Sequence, residues 1–183
     1  LKLNEYGLFH EDGSEVKAKD EAALYAALGL TYIEPEMRED RGEIEASAKQ
    51  ELPRLVEEKD IQGVLHCHSI DSDGANTIRE MALAAKKAGY AYIGMSDHSQ
   101  SARYANGMLP DTVKRQHDDI DKLNGELDGI TILKGSEVDI LADGALDYPE
   151  AILARFDFVI GSIHSRFNMD RETMTKRMIA AIE

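Results

Sequence analysis

The sequence predicts an α/β fold built around a parallel sheet, and three observations favour this class. Beyond residue 61, short apolar runs alternate with amphipathic stretches, which is the pattern of βαβ units. Histidines and carboxylates follow those runs, where the carboxyl ends of parallel strands would meet at one edge. Hydrophobic residues make up 43% of the chain and charged residues 31%, which is typical of a domain with a core and excludes disorder throughout.

The alternation predicts four strands, each followed by a helix. The apolar runs place the strands at residues 64–68, 91–97, 131–138 and 156–163. The amphipathic stretches place helices at 77–88, 112–127 and 149–155, and a last helix opens near Asp170. The first helix is well bounded, because Thr77-Ile-Arg-Glu80 has the form of a capping box and Gly89 suits a C-terminal cap.

The first 60 residues differ in character from the rest. Residues 1–33 contain a strand-like start and a helical stretch over 20–28, too little to bury a core alone. Residues 34–60 are charge-rich and interrupted by proline, with a helix near 44–50, so we interpret them as a solvated connector rather than a partner-docking segment. The predicted segments are 1–33, 34–60 and 61–183. Because the sequence begins without Met and ends inside a helical pattern, we expect a piece of a longer protein.

The charge balance limits the partners. With 21 Lys and Arg against 35 Asp and Glu, the net charge is −14, which repels phosphate backbones at long range. Phosphate chemistry would therefore need bound cations. No apolar run approaches a membrane span and the N-terminus has no signal-peptide layout, so we expect no membrane partner and a cytoplasmic location. Cys67 is the one cysteine, which allows no internal disulfide and fits a reducing compartment.

Each predicted strand brings an imidazole or a carboxylate to one rim. The strand-end segments are His66-Cys67-His68, Asp97-His98, Glu137 with Asp139, and His164. Two histidines at positions i and i+2 of a strand point to the same face, so they can chelate one ion while the cysteine between them points away. The turn Ser72-Asp73-Gly74 follows, and its aspartate can fold back over that ion.

Six candidate ligands are more than one tetrahedral ion needs. They are His66, His68, Asp73, His98, Glu137 and His164. Imidazole together with carboxylate suits Zn, Mn or Fe rather than Ca or Mg. The natural interpretation is a multinuclear site, with the central Glu137 as a bridging carboxylate beside a shared hydroxide.

Other polar residues have two interpretations each. Asp97 either orients a metal-bound histidine or caps the loop that follows it. Arg103, in the rim loop 99–107, either clamps a phosphate or is merely exposed. Asp71 is interpreted as a turn residue, Cys67 as a small buried residue, and His117, which has acidic neighbours on a helix, as a surface residue.

These motifs resemble those of the polymerase and histidinol phosphatase (PHP) superfamily. The family's Asp-x-His-x-His motif, Ser-Asp-Gly turn, Thr-Asp-His, Gly-x-Glu and Ser-x-His correspond, in order, to Val64-Leu65-His66-Cys67-His68, Ser72-Asp73-Gly74, Ser96-Asp97-His98, Gly135-Ser136-Glu137 and Ser162-Ile163-His164. More narrowly, segments 105–107, 133–140, 143–149 and 174–177 resemble the PHP module of bacterial family X DNA polymerases. Segments 3–9 and 25–30 resemble the tail of the polymerase core that precedes that module.

The resemblance implies a partial (βα) barrel of the distorted seven-stranded PHP type. About four βα units would be present after a small N-terminal appendage: residues 1–33 would be the polymerase tail, 34–60 the linker and 61–183 the first part of the PHP domain. Val64 stands where the family has an aspartate, which removes one carboxylate. Ligands from later strands are missing, and an open half-barrel would expose apolar strand edges that dimerisation or swapping could cover.

The implied function is metal-dependent phosphoester hydrolysis, as a 3′–5′ exonuclease or another 3′-end processing activity, with DNA as the partner of the full-length protein. Two to three Mn or Zn ions, or Fe, would be bound: one by His66, His68 and Glu137, a second by Asp73 and His98, and a third by Glu137 with His164. Glu137 and His98 would be catalytic. Three alternatives stay open: a phosphomonoesterase of the histidinol phosphatase type, an amide hydrolase on a metal-lined barrel, and a structural docking module that retains metal.

Overall fold

The computed structural model describes residues 1–182, apart from the side chain of residue 3, and the chain forms two compact units. The units are Leu1–Val56 and Glu57–Glu183. Residues 34–56, interpreted from the sequence as a connector, lie in the first unit.

The first unit contains a hairpin and two short helices. Strands β1 (Lys2–Asn4) and β2 (Gly7–Phe9) pair antiparallel across a tight turn, in which the Asn4 side chain accepts a hydrogen bond from a backbone N–H. Helices α1 (Glu21–Ala27) and α2 (Glu43–Lys49) follow. Ser47 of α2 is buried and donates to the carbonyl oxygen of Thr31 at 2.5 Å, so α2 packs within this unit.

The second unit is a parallel sheet whose spatial order follows the chain. Its strands are β3 (Gly63–Cys67), β4 (Tyr92–Met95), β5 (Thr131–Asp139) and β6 (Phe158–Ser162), in the order β3-β4-β5-β6. Its helices are α3 (Ile78–Lys87), α4 (Pro110–Glu126), α5 (Glu150–Leu153) and α6 (Arg171–Ile182). Because each helical crossover joins neighbouring parallel strands, the predicted partial (βα) barrel of four units is confirmed. The bounds of these elements differ from the predicted ones by at most two residues.

The main core lies where α3 and α4 cover the sheet. Buried apolar residues at helical spacing on α3 pack against β4 and β5, and the cluster consists of Ile78, Ala82, Ala85, Ile93, Met95, Ile120, Leu123, Ile130 and Ile132. The predicted capping box is present: the Glu80 carboxylate accepts from the Thr77 backbone N–H at 2.8 Å. These contacts fix α3 and α4 behind the strands and leave the strand ends free to form the rim.

The edge strands β3 and β6 expose apolar side chains. Leu65 is 43% exposed and Val159 is 36% exposed. In the middle of the sheet, a Cβ at Gly94 or Gly135 would lie 2.6 or 2.2 Å from the Phe158 ring. The phenyl ring of Phe158 on β6 therefore needs glycine on the adjacent strand β5 and on the next strand β4 in order to lie across this face of the sheet.

The surface position expected for His117 is wrong. The residue is 2% exposed, and its ring makes an edge-to-face contact with Phe156 at 4.9 Å between centroids. The inner stripe of α4 contains Val113, Gln116 and Ile120, and His117 falls on the same stripe at position i+4 from Val113. Its acidic neighbours in sequence lie on the outer face of α4, so the local sequence resembles that of an exposed residue.

Burial should make the stability of the fold depend on His117 below neutral pH. Burial lowers the pKa of His117 to about 4. The positive charges of Lys134 and Arg155 add a smaller lowering effect, and the negative charges of Asp121 and Asp157 oppose it. The unfolded chain therefore binds a proton at higher pH than the folded chain does. The stability contributed by the neutral ring is fully present above about pH 6.5 and is lost as the pH falls towards 4, by about 3 kcal/mol in total.

The measurement is urea unfolding at pH 7, 5.5 and 4.5 for the wild type and His117→Gln. We expect the free energy of unfolding to fall more steeply with acid in the wild type, because the variant lacks this titrating group. Equal pH dependence in the two proteins would contradict the buried neutral imidazole.

Candidate metal centre

The carboxyl ends of all four strands of the second unit meet at one rim, and the six predicted ligands lie there together. They are His66 on β3, His68 directly after it, Asp73 in the next turn, His98 after β4, Glu137 on β5 and His164 after β6. The centroids of the His68 and His98 rings are 4.5 Å apart, and those of the His98 and His164 rings are 5.2 Å apart. The strand register thus assembles residues that are almost 100 positions apart in sequence.

Strand geometry explains the placement of the first two histidines. The rings of His66 and His68 stack at 5.3 Å with an interplanar angle of 26°, as expected for positions i and i+2 of a strand. The residue between them, Cys67, is half-buried and accepts a hydrogen bond on its backbone oxygen from the Ser96 hydroxyl. On the neighbouring strands, His98 and Glu137 form a parallel bridge, which sets these two side chains beside each other.

Helix α6 fixes the ends of β5 and β6. The buried guanidinium of Arg177 donates to the backbone oxygens of Leu141 at 2.8 Å and Ser165 at 3.0 Å, and also to that of Ile140. Ser165 directly follows His164 in sequence. One side chain therefore ties together the two strand ends that carry the last two ligands.

Glu137 is the centre of the arrangement. Its Oε2 atom lies 3.1 Å from His98 Nδ1, 3.4 Å from His66 Nε2 and 3.5 Å from His68 Nε2. Its Oε1 atom lies 3.2 Å from His164 Nε2. One carboxylate is thus shared by four imidazoles, and both of its oxygens point to ring nitrogens, as a bridging ligand requires.

The donor atoms form three overlapping groups. In each group, the ligand atoms lie within 4.8 Å of one another: His66, His68 and Glu137; His68, Asp73 and His98; His98, Glu137 and His164. Histidines and carboxylates are the ligands that Zn, Mn and Fe share. Glu137 belongs to two of the groups, and its two carboxylate oxygens could be shared by two ions, whereas a neutral imidazole offers one free nitrogen and would bind a single ion.

Two buried nitrogens support a metal-binding role. Within residues 1–182, Nδ1 of His98 and Nδ1 of His164 have no hydrogen-bond partner. The nearest carboxylate oxygens are Glu137 Oε2 at 3.1 Å and Asp139 Oδ1 at 3.4 Å. Two ligands of one ion, bonded at about 2.1 Å, lie roughly 3.4 Å apart in a tetrahedron, so these separations fit a metal. Asp139, at the end of β5, is a further carboxylate beside the site.

The protonation states also suit metal coordination. Burial lowers the pKa of His98, although the charges of Glu137 and Asp73 oppose the shift, which favours the neutral ring. For Glu137, burial alone would raise the pKa, but hydrogen bonds from Ser162 and His66 contribute to lowering it overall. A neutral imidazole and an ionised carboxylate are the forms that bind metal.

Asp97 holds the loop that carries Asp73. It is fully buried and accepts hydrogen bonds from the backbone N–H of Ser69 at 2.7 Å, the Ser72 hydroxyl at 2.6 Å and the Gln116 amide at 2.7 Å. The role of Asp97 in orienting a metal-bound histidine stays a prediction. The residue organises the loop after β3, rather than the loop that follows Asp97 itself.

The rim loop 99–107 presents Tyr104 rather than Arg103 to the six ligands. The Tyr104 ring centroid lies 6.0 Å from that of His98 and 6.0 Å from that of His164. Arg103 lines a surface depression with Ser101 and Asp147, and within the described chain no hydrogen bond or ion pair joins it to the ligands. Sequence analysis missed Tyr104, whose one signal was its position in a loop at the functional edge.

A parallel (βα) half-barrel whose rim gathers histidines and carboxylates defines a class of metal-binding α/β domain. The chain belongs to the PHP domain family, because the family model described as PHP domain matches residues 65–181. The family model described as DNA polymerase beta thumb matches residues 1–39. The family resemblance drawn from the motifs is confirmed.

The curated relatives include a polymerase and several phosphatases. The chain is 44% identical over 182 residues to the DNA polymerase/3′-5′ exonuclease PolX of Bacillus subtilis strain 168. The aligned region covers 99% of this chain and 32% of the relative. It is 37% identical over 123 residues to a probable phosphatase of Thermoanaerobacter sp. strain X514, covering 64% of this chain and 48% of that one. A probable phosphatase of Caldicellulosiruptor saccharolyticus is 36% identical over 107 residues, covering 54% and 40%.

The chain therefore spans about a third of the Bacillus relative and less than half of these phosphatases. Among residues 1–182, the helices are too short or too polar to cross a lipid bilayer.

Proposed function

We propose that this chain is a metal-dependent phosphoesterase module that hydrolyses phosphodiester bonds at the 3′ ends of DNA, using two or three Mn or Zn ions. The observation that carries the proposal is the buried Glu137 carboxylate shared by four imidazoles. The names of the relatives support the reaction class, since one is called a 3′-5′ exonuclease and others are called probable phosphatases.

Each residue of the centre has a proposed part. One ion would be held by His66, His68 and Glu137, a second by Asp73 and His98, and a third by Glu137 with His164. Bound ions of this kind polarise phosphate oxygens and lower the pKa of water towards neutrality. Glu137, kept ionised, maintains the imidazoles in one arrangement, and His98, kept neutral, is the most enclosed of the histidine donors. Asp139 Oδ1 lies 3.4 Å from Nδ1 of His164, which has no hydrogen-bond partner among the described residues, so Asp139 is a further candidate donor beside the centre.

The charge of the chain supports a restricted mode of DNA contact. A net charge of −14 disfavours a broad grip on the phosphate backbone, so we propose that DNA is a partner of the full-length protein and that this module contacts the strand end. A cytoplasmic location is proposed because one relative is named as a DNA polymerase.

The test is incubation of the full chain with a 5′-labelled single-stranded oligonucleotide in Mn²⁺, in Zn²⁺ and in EDTA. We expect stepwise shortening from the 3′ end with metal and none with EDTA, since the donor groups lose their ions to the chelator. His98→Ala should lose this activity. The matched control His10→Ala removes an exposed histidine of the first unit and should retain it.

A second substrate distinguishes the proposed function from its main alternative. p-Nitrophenyl phosphate is a monoester, and turnover of it without shortening of DNA would replace the proposal by a small-molecule phosphomonoesterase. No turnover of either ester by the metal-loaded chain would favour the docking module that retains metal.

A further inference from the structure

Tyr104 is a large aromatic residue left in solvent beside a polar centre. It lies on the short 3-10 helix Arg103–Ala105 and is 70% exposed. Its ring meets the rings of His98 and His164 edge to face, with interplanar angles of 63° and 77°. Core packing does not account for this position, because the ring contacts candidate metal ligands and otherwise faces water.

The backbone beneath Tyr104 is tightly closed. Ser99 and Met108 form a bridge at the two ends of the loop, and Ala102 and Ala105 are each only 1% exposed. A Cβ at Gly107 would lie 1.9 Å from the backbone oxygen of Ser99, so the backbone at Gly107 lies directly against that of Ser99 and leaves no space for a side chain. An exposed ring on a fixed backbone is already organised for contact and loses little entropy when a ligand binds.

The distance from the ring to the ligands suggests what would bind. A nucleobase is joined to its phosphate through one sugar, so a phosphate held near His98 and His164 leaves the base within reach of a ring 6.0 Å from both imidazoles. Every base has a π-face that stacks on aromatic side chains, whatever its sequence. A simple phosphate ester without such a face would gain nothing from this ring.

We propose that Tyr104 is the stacking platform for the base of the nucleotide whose phosphate enters the candidate metal centre, so that the site selects nucleotide esters over small phosphates. The inference rests on the proposed function for the phosphate end of the substrate. The stacking itself requires the aromatic ring and not the hydroxyl group, which determines the choice of variants.

The test is calorimetric binding of thymidine 5′-monophosphate, and separately of inorganic phosphate, to the full chain in Mn²⁺. We expect Tyr104→Ala to weaken nucleotide binding by about 5- to 150-fold, the range for loss of one stacked base, and to leave phosphate binding unchanged. Tyr104→Phe should bind the nucleotide as the wild type does. The matched control Leu109→Ala removes another exposed apolar side chain near this loop and should change neither affinity.

Several results would overturn the inference. Equal nucleotide affinity in the wild type and Tyr104→Ala would do so, as would equal losses for nucleotide and phosphate, which would indicate damage to the centre. A wild-type chain in Mn²⁺ that binds neither probe would count against both proposals. Binding does not depend on turnover: nucleotide binding through Tyr104 without DNA hydrolysis would contradict the proposed function and support the stacking.

Discussion

Glu137→Gln should abolish hydrolysis of the oligonucleotide while the chain stays folded. The substitution keeps the size of the side chain but replaces one shared oxygen by an NH₂ group, which cannot bind metal. Since loss of an outer-shell partner of a metal ligand already costs up to about 100-fold in activity, loss of the central donor should cost at least about that much. The measurement is the initial rate of 3′-end shortening in saturating Mn²⁺.

Folding should survive because the substitution removes a buried charge instead of adding one. The new amide can donate to the neighbouring ring nitrogens, which lie 3.1 to 3.5 Å from the present carboxylate oxygens. Thermal unfolding monitored by circular dichroism checks this. The control Glu126→Gln alters an exposed carboxylate on α4 that pairs with Arg79, and it should keep the wild-type rate. A Glu137→Gln chain as active as this control would refute the central role of the carboxylate.

Asp97→Asn should destabilise the fold by about 2–4 kcal/mol, the penalty for one or two buried donors left unpaired. Both oxygens of the carboxylate are used: Oδ1 accepts from Ser69 N–H and the Ser72 hydroxyl, and Oδ2 accepts from the Ser69 hydroxyl and the Gln116 amide. An asparagine must turn its NH₂ towards one of these pairs. A hydroxyl can reverse its role, but the backbone N–H of Ser69 cannot. The Gln116 amide could turn its oxygen towards the asparagine only by withdrawing its NH₂ group from Asp71, so either orientation loses a buried hydrogen bond.

The measurement for Asp97→Asn is urea unfolding in EDTA, so that bound ions do not contribute to the difference. Asp118→Asn, on the exposed face of α4, is the matched control, and its free energy of unfolding should stay within about 0.5 kcal/mol of the wild type. If Asp97→Asn is as stable as the control, the hydrogen bonds to the loop after β3 do not support the fold.

The network around Asp97 extends to the surface. Gln116, which is fully buried, also donates to Asp71 at 3.1 Å, and Asp71 pairs with Arg115 at 2.5 Å. Asp71 lies in a turn, as predicted, but its carboxylate joins that turn to α4. The loop carrying Asp73 is thereby attached both to the end of β4 and to the helix behind it.

The sequence predicts the sheet well because its signals are periodic. Short apolar runs separated by amphipathic stretches define strands and helices locally, and parallel connections bring the strand ends to one edge. The meeting of His98 and Glu137 follows from that rule alone, without knowledge of any contact. Spacing of two residues likewise places the His66 and His68 rings on one face.

The remaining features lack a periodic signal. Gln116 and His117 lie on the buried stripe of α4. Polar residues are usual on the outer face of a helix, so the residue type alone does not show that these two are buried. The position of Tyr104 depends on the closure of a loop between Ser99 and Met108, which follows no repeat. The pairing of Asp71 with Arg115 joins residues 44 positions apart, and propensity and spacing carry no information at that range.

The measurement that most directly tests the candidate metal centre is elemental analysis of the full chain after equilibration with Mn²⁺, Zn²⁺ or Fe²⁺ and removal of free ions. The three overlapping donor groups predict two to three ions per chain in the wild type and fewer in Glu137→Gln, whose central bridge is lost. A wild-type chain that retains none of the three metals, or that retains the same amount as Glu137→Gln, would contradict the assignment of the rim as a metal centre.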